Sequence, residues 1–200
     1  MLYPLAPQGV FLTVQGEGAM LGVPQVFVRL AGCNVNCLNC DTDYTVAERV
    51  GVRELVRRVV NAGSVKWVWV TGGEPTIHDL VPLVTELRAA GFSIALATAG
   101  TAPVPRGHGV TAPPGGLDFV SVSPHFVSDR WVQRRGDQLN VVPGLNGIKL
   151  SDLDGVDVSG FTERFVTPLF GADVSECAEW VMNRSGWRLG VQAHRYWGIP

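Results

Sequence analysis

Three cysteines, Cys33, Cys37 and Cys40, stand within the stretch AGCNVNCLNCDT (Ala31 to Thr42), separated by three and then two residues. A structural zinc site closes its shell with four ligands, commonly two pairs of CxxC type, and no fourth ligand lies nearby in the sequence. Three cysteines holding an iron-sulfur cube instead leave one iron without a protein ligand, open to a molecule from outside. The spacing therefore favours an open 4Fe-4S centre over structural zinc. The fourth cysteine, Cys177, falls in a helical apolar stripe with Val174, Ala178, Val181 and Met182, and is expected in the core as a small hydrophobe.

A second chemical stretch is TGGEP, Thr71 to Pro75. Its two glycines let backbone approach a ligand closely, and the Glu74 carboxylate is a natural acceptor for an ammonium group. Taken alone it is a strand-to-helix turn with Pro75 near the first helical position. His78, just beyond, is expected as a helix-start residue ahead of a site-lining one.

These residues need elements to position them. PQVFVRL (Pro24 to Leu30), KWVWVT (Lys66 to Thr71), SIALAT (Ser93 to Thr98) and DFVSVS (Asp118 to Ser123) read as strands. GIKL (Gly147 to Leu150), RFVTPL (Arg164 to Leu169) and WRLGVQA (Trp187 to Ala193) extend the series. Between them, Val52, Leu55, Val56, Val59 and Val60 keep the period of an amphipathic helix, as do Leu80, Leu83, Val84 and Leu87, which stop near Gly91. Strands alternating with helices imply βαβ units and a mainly parallel sheet. Two hundred residues fall short of the ~250 of a full eight-fold barrel, so an α/β fold with a partial, trimmed TIM-like barrel in a single domain (1–200) is expected.

The cysteines, TGGEP, ATAGT (Ala97 to Thr101), SPH (Ser123 to His125) and TPLF (Thr167 to Phe170) each follow a strand. In parallel α/β folds the C-terminal strand ends share one rim, which carries the chemistry. Five motifs thus converge on one site. Thr101 to Gly116, with four prolines and four glycines, is expected as a long surface loop.

Composition narrows the class. Hydrophobic residues at 46% and charged ones at 17% describe an ordinary globule. A net charge of -2 gives no basic field for nucleic acid or an anionic membrane. MLYPLAPQGV lacks a basic stretch followed by a long apolar one, and no run of about 18 apolar residues occurs, so a cytoplasmic chain in a reducing compartment is expected.

The pairing of CxxxCxxC with GGEP resembles the radical S-adenosylmethionine enzymes. FLTVQGEGAMLGVPQVFVRLAGCNVNCLNCDT, Phe11 to Thr42, further resembles the start of the 7-carboxy-7-deazaguanine synthase family, in which a QGEG segment, an arginine on the first strand and a CDT ending the cluster loop occur together. The likeness is strong from Phe11 to about His78 and weaker in the closing WRLGVQAHRYWGIP. It implies a radical ring contraction of 6-carboxytetrahydropterin to a 7-deazapurine carboxylate with release of ammonia, on the route to queuosine-type products. It also implies a 4Fe-4S cluster, S-adenosylmethionine and magnesium as cofactors, an electron donor such as flavodoxin or ferredoxin, and a homodimer.

By the same resemblance, Cys33, Cys37 and Cys40 bind the cluster. Asn39, Asp41, Gly73, Glu74, Ser123, Pro124, His125 and the turn Thr167, Pro168, Leu169, Phe170 hold S-adenosylmethionine. Val14, Gln15, Gly16, Glu17, Arg29 and Thr71 surround the pterin, and the carboxylate of Pro200 reaches it. Thr42 offers an oxygen to magnesium, and the Arg29 fork suits the substrate carboxylate. The chain departs from the family at ATAG, where an acidic residue and an asparagine are common, at His125 for a lysine, and at Thr167 for a glutamine. The rival readings are a glycyl-radical activating enzyme acting on a protein partner, whose site would be an open groove, and a non-catalytic iron-sulfur or zinc protein, which leaves GGEP unexplained.

Overall fold

The computed structural model describes residues 1–37, 40, 42–104 and 116–200. Asn39, Asp41 and residues 105–115 of the expected long loop lie outside the described residues; Thr101–Val104, at its start, form neither helix nor strand.

Among the described residues nine strands form one sheet: β1 (Leu2–Val14), β2 (Pro24–Leu30), β3 (Glu48–Gly51), β4 (Trp67–Gly72), β5 (Ser93–Thr98), β6 (Phe119–Val122), β7 (Gly136–Val141), β8 (Phe161–Val166) and β9 (Arg188–Leu189). Their order is β3-β1-β2-β4-β5-β6-β7-β8-β9. β1 runs antiparallel to β2 and β3, and every neighbouring pair from β2 to β9 is parallel. With β3 and β9 as its edges the sheet does not close, which makes it the partial barrel expected from the sequence. The helices are α1 (Val52–Ala62), α2 (Val81–Ala89), α3 (Ser175–Met182) and α4 (Ala193–Trp197). No helix among the described residues is long and apolar enough to cross a membrane.

The period of two along each strand divides the sheet into two chemically different faces. Val26, Val28 and Leu30 of β2, Val68 and Val70 of β4, Ile94 and Leu96 of β5, Val120 and Val122 of β6, and Leu139 and Val141 of β7 are fully buried. They share one core with Leu55 and Val59 of α1 and Leu83, Val84 and Leu87 of α2. The intervening residues, Phe27, Arg29, Trp69, Thr71, Ala97, Ser121, Gln138 and Asn140, line a cavity on the opposite face. One face holds the molecule together, and the other is left for a ligand.

Three expectations are corrected. Gly147–Leu150 is not a strand: 3-10 turns at Leu145–Gly147 and Leu150–Leu153 flank Ile148, and the apolar side chains plug the core instead of pairing. RFVTPL pairs only as far as Val166, because Pro168 has no N–H to donate to a ladder. WRLGVQA pairs only over Arg188–Leu189 before the chain turns into α4. Three strands were not anticipated at all: β1, with a register shift between Leu5 and Val10, then β3 and β7.

Candidate active site

The loop after β2 carries the cysteines and returns as β3, pinned at its start by Gly32 N–H donating to the Tyr44 carbonyl at 2.9 Å. The GGEP turn after β4 lies directly against it: Gly73 N–H donates to the Leu30 carbonyl (3.1 Å) and Glu74 N–H to the Gly32 carbonyl (3.0 Å). A Cβ at position 73 would stand 2.0 Å from the Gly32 oxygen and 2.9 Å from the Cys33 Cβ, so this approach requires glycine. His78 adds a crosslink, its Nε2 lying 2.8 Å from the Ala31 carbonyl.

Glu74 is 1% exposed. Its Oε1 accepts from Thr76 N–H (3.0 Å), the Thr76 hydroxyl (2.6 Å) and the Thr98 hydroxyl (2.7 Å), and its Oε2 from Ala99 N–H (2.6 Å). The carboxylate that the sequence offers to an ammonium group thus also braces the end of β4 against β5.

Among the cysteines, Cys40 is exposed and Cys33 and Cys37 are half-buried. Cys37 Sγ lies 2.8 Å from His125 Nδ1 and accepts from Asn146 Nδ2 at 3.3 Å, and the same amide reaches the His125 carbonyl at 3.3 Å. Burial pushes the Cys37 thiol up, the Asn146 amide opposes, and the Cys40 and Cys33 sulfurs add to the rise. Among the described residues no three His, Cys, Asp or Glu side chains converge on one metal position. Three thiols on one loop and no fourth remain a donor set that fits an iron-sulfur cube with one open corner.

Cys37, Cys40, Ser123, His125, Leu169 and Phe170 border a cavity of about 420 Å³. A larger cavity of about 560 Å³ adjoins it, bordered by Val14, Gln15, Gly16, Glu17, Arg29, Thr42 and Pro200. Glu17, Thr71, Ser123 and Arg195 border both. Every described site residue named from the sequence thus meets this pair of cavities, except Cys33, Gly73, Glu74, Pro124, Thr167 and Pro168, which line neither.

QGEG is shaped by its neighbours. A Cβ on Gly16 would fall 2.5 Å from His194 Nδ1, and one on Gly18, at φ +67°, would fall 2.2 Å from Gln138 Oε1. Ala193 N–H donates to the Gly16 carbonyl at 2.9 Å, which seats the C-terminal segment over the cavity. The Thr13 hydroxyl donates to the Pro200 main-chain oxygen at 3.0 Å. Arg29 Nη1 donates to the Thr42 hydroxyl at 2.9 Å, with its guanidinium 5.4 Å above the Phe11 ring. Phe27 and Trp69 supply an apolar floor, their rings 6.1 Å apart.

Sequence reasoning missed Ser121, Gln138, Asn140, Gln192, His194 and Arg195 in these walls. Gln138 and Asn140 alternate with apolar Leu139 and Val141, a period-two signal obscured by the low strand preference of Gly, Asp and Asn. The others carry no local signal.

No protein-family model matches the chain. It is 34% identical over 220 residues to the 7-carboxy-7-deazaguanine synthase of Burkholderia multivorans, covering 98% of this chain and 99% of that protein. It is 32% identical to the protein of that name from Escherichia coli K12, covering 100% of both, and 32% identical to that of Synechocystis, covering 98% of this chain and 93% of the relative. The crystal structure of QueE from Escherichia coli matches at a TM-score of 0.73 and 27% identity, over 97% of this chain and 95% of that one. With full-length identity above 30% joined to a cysteine loop, a GGEP turn and paired cavities on one rim, the chain belongs to the 7-carboxy-7-deazaguanine synthase family.

Proposed function

We propose that this chain converts 6-carboxy-5,6,7,8-tetrahydropterin to 7-carboxy-7-deazaguanine with release of ammonia. The observation that carries this reading is the pair of adjoining cavities with Glu17, Thr71, Ser123 and Arg195 at their boundary. A pterin in the larger cavity would stand next to a nucleoside in the smaller one, as a hydrogen abstraction between the two requires.

In this reading Cys33, Cys37 and Cys40 hold a 4Fe-4S cluster. Gly73, Glu74, Ser123, Pro124, His125 and the Thr167–Phe170 turn hold S-adenosylmethionine, as do Asn39 and Asp41. When bound, these cofactors supply a 5'-deoxyadenosyl radical after one-electron cleavage of the sulfonium. The chain's own residues bind and orient. Arg29 presents a planar fork to the substrate carboxylate, and Gln15, Gly16 and Glu17 meet the donor edge of the pterin, a carboxylate being acceptor-only. Val14, Thr71 and Pro200 complete the wall. Phe27 and Trp69 place an apolar surface under the ring.

Magnesium at Thr42 belongs to the same reading, with one condition. The Thr42 oxygen accepts from Arg29 in this arrangement, and a guanidinium drawn to the substrate carboxylate would relieve the like-charge repulsion beside a cation there. Single-domain organisation, a cytoplasmic site of action, a homodimer and a flavodoxin- or ferredoxin-type electron donor complete the proposal.

Anaerobic reconstitution tests it. The reduced cluster should change its paramagnetic resonance spectrum on adding S-adenosylmethionine, and incubation with the pterin, reductant and magnesium should give the deazapurine acid. Deoxyadenosine formed without that acid would point to another substrate, and an unchanged spectrum would remove the radical chemistry altogether.

A further inference from the structure

Four polar residues join the two cavities in a pattern that neither cavity needs alone. Asn140 Nδ2 donates to Glu17 Oε2 at 2.8 Å, while the Thr167 hydroxyl donates to Asn140 Oδ1 at 2.6 Å. Gln192 Nε2 donates to Glu17 Oε1 at 3.2 Å, while Phe170 N–H donates to Gln192 Oε1 at 2.9 Å. The Glu17 carboxylate is therefore held on each oxygen by one amide, and each amide reaches an opposite end of the Thr167–Phe170 turn.

Donor and acceptor chemistry fixes the direction of both amides. A backbone N–H is only a donor, so the Gln192 atom facing Phe170 must be the oxygen, which turns its NH₂ to Glu17. An ionised carboxylate is only an acceptor, so Asn140 turns its NH₂ the same way and must receive from the Thr167 hydroxyl. The far end is built tightly: Thr167 is fully buried, Gly190 N–H donates to the Val166 carbonyl at 2.7 Å, and a Cβ at position 190 would lie 2.0 Å from Thr167 Oγ1.

We infer that Asn140 and Gln192 are positioning residues that tie Glu17 to the Thr167–Phe170 turn, so that filling either cavity favours filling the other. This rests on the reading in which the turn holds S-adenosylmethionine and Glu17 the pterin. A ligand that orders the turn orders both amides and through them Glu17, leaving less freedom for the second ligand to remove. Linkage makes the effect reciprocal: each ligand raises the other's affinity by one and the same factor.

The test is equilibrium binding to the anaerobically reconstituted protein, with no turnover. For the wild type, the Kd of 6-carboxytetrahydropterin should fall at least about fivefold when S-adenosylmethionine is saturating, with an equal fall in the reverse titration. Asn140→Leu and Gln192→Met each remove one amide at similar volume and should bring that factor towards one. Gln192→Glu, which keeps an acceptor for Phe170 N–H but loses the donor to Glu17, should do the same. Iron content and thermal midpoint report whether each variant is folded; Gln192 is only half-buried, so its variants remain informative should Asn140→Leu unfold. A merely structural role predicts lower midpoints with the factor unchanged, and that result overturns the inference, as does a wild type that binds both ligands independently. A wild type that binds S-adenosylmethionine but no pterin overturns the functional reading and this inference with it.

Discussion

Cys37 and Cys177 carry the same thiol into opposite settings. Cys37 borders a cavity, beside His125 and Asn146. Cys177 is 5% exposed within the core, where burial first and the Glu176 charge second push its thiol up. Cys177→Ser should therefore cost about 1–3 kcal/mol by burying a hydroxyl without an assured partner, with iron per chain after reconstitution unchanged. Cys37→Ser should lose iron at little cost in folding. Iron analysis and denaturant midpoints separate the two, and iron lost from Cys177→Ser would show that position to be a ligand. At this scale the sequence was informative for residues singled out by local spacing, such as Cys37 and Cys40, which border one cavity. It was silent on Gln192 and Arg195, which join the site only because α4 folds back over QGEG.

Strand ends and turns decide whether the motifs meet. Gly73 stands where β4 leaves the sheet, and the Gly32 carbonyl occupies the space a side chain there would need. Gly73→Ala should destabilise by about 1–3 kcal/mol through overpacking and also impair iron retention, because the loop bearing Cys33 must shift. Leu87→Ala in α2 should cost more, about 2–5 kcal/mol, with iron retention intact, since that side chain lies on the far face of the sheet. Equal iron retention in both variants would disprove the close coupling of turn and loop. β2, β4 and β5 were legible because aromatic and β-branched residues with period two have few alternatives. β7 was not, since Gly136, Asp137 and the cavity-facing Asn140 are residues that an isolated chain would place in turns. GIKL misled for the converse reason: its apolar alternation fills the core from 3-10 turns, which a short window cannot distinguish from pairing.

For the whole molecule, acid is expected to weaken the fold from its surface. Glu54 is lowered to about 2, chiefly by hydrogen bonds from Arg57 and then Arg58, and Glu48 is lowered by Arg58. Asp43, Asp157 and Asp173 are lowered by Thr45, Ser159 and Ser175. A carboxyl whose pKa is depressed on folding stabilises above its unfolded value, near 4, and loses that contribution as pH falls through the folded value. The thermal midpoint should thus drop between about pH 5 and pH 2, less steeply for Glu54→Gln and less steeply in about 1 M salt, because exposed pairs are screened. A midpoint flat over that range would refute this account. By itself the sequence determined the fold class, the cysteine loop, the GGEP turn and the family, since these depend on residue types at short spacings and on periodic alternation. Only the tertiary structure decided which polar residues share a cavity, how Glu17 is tied to the Thr167–Phe170 turn, and that Glu74 also braces the scaffold. Those are contacts between residues tens to more than a hundred positions apart, and the sheet that brings them together is a property of the whole chain.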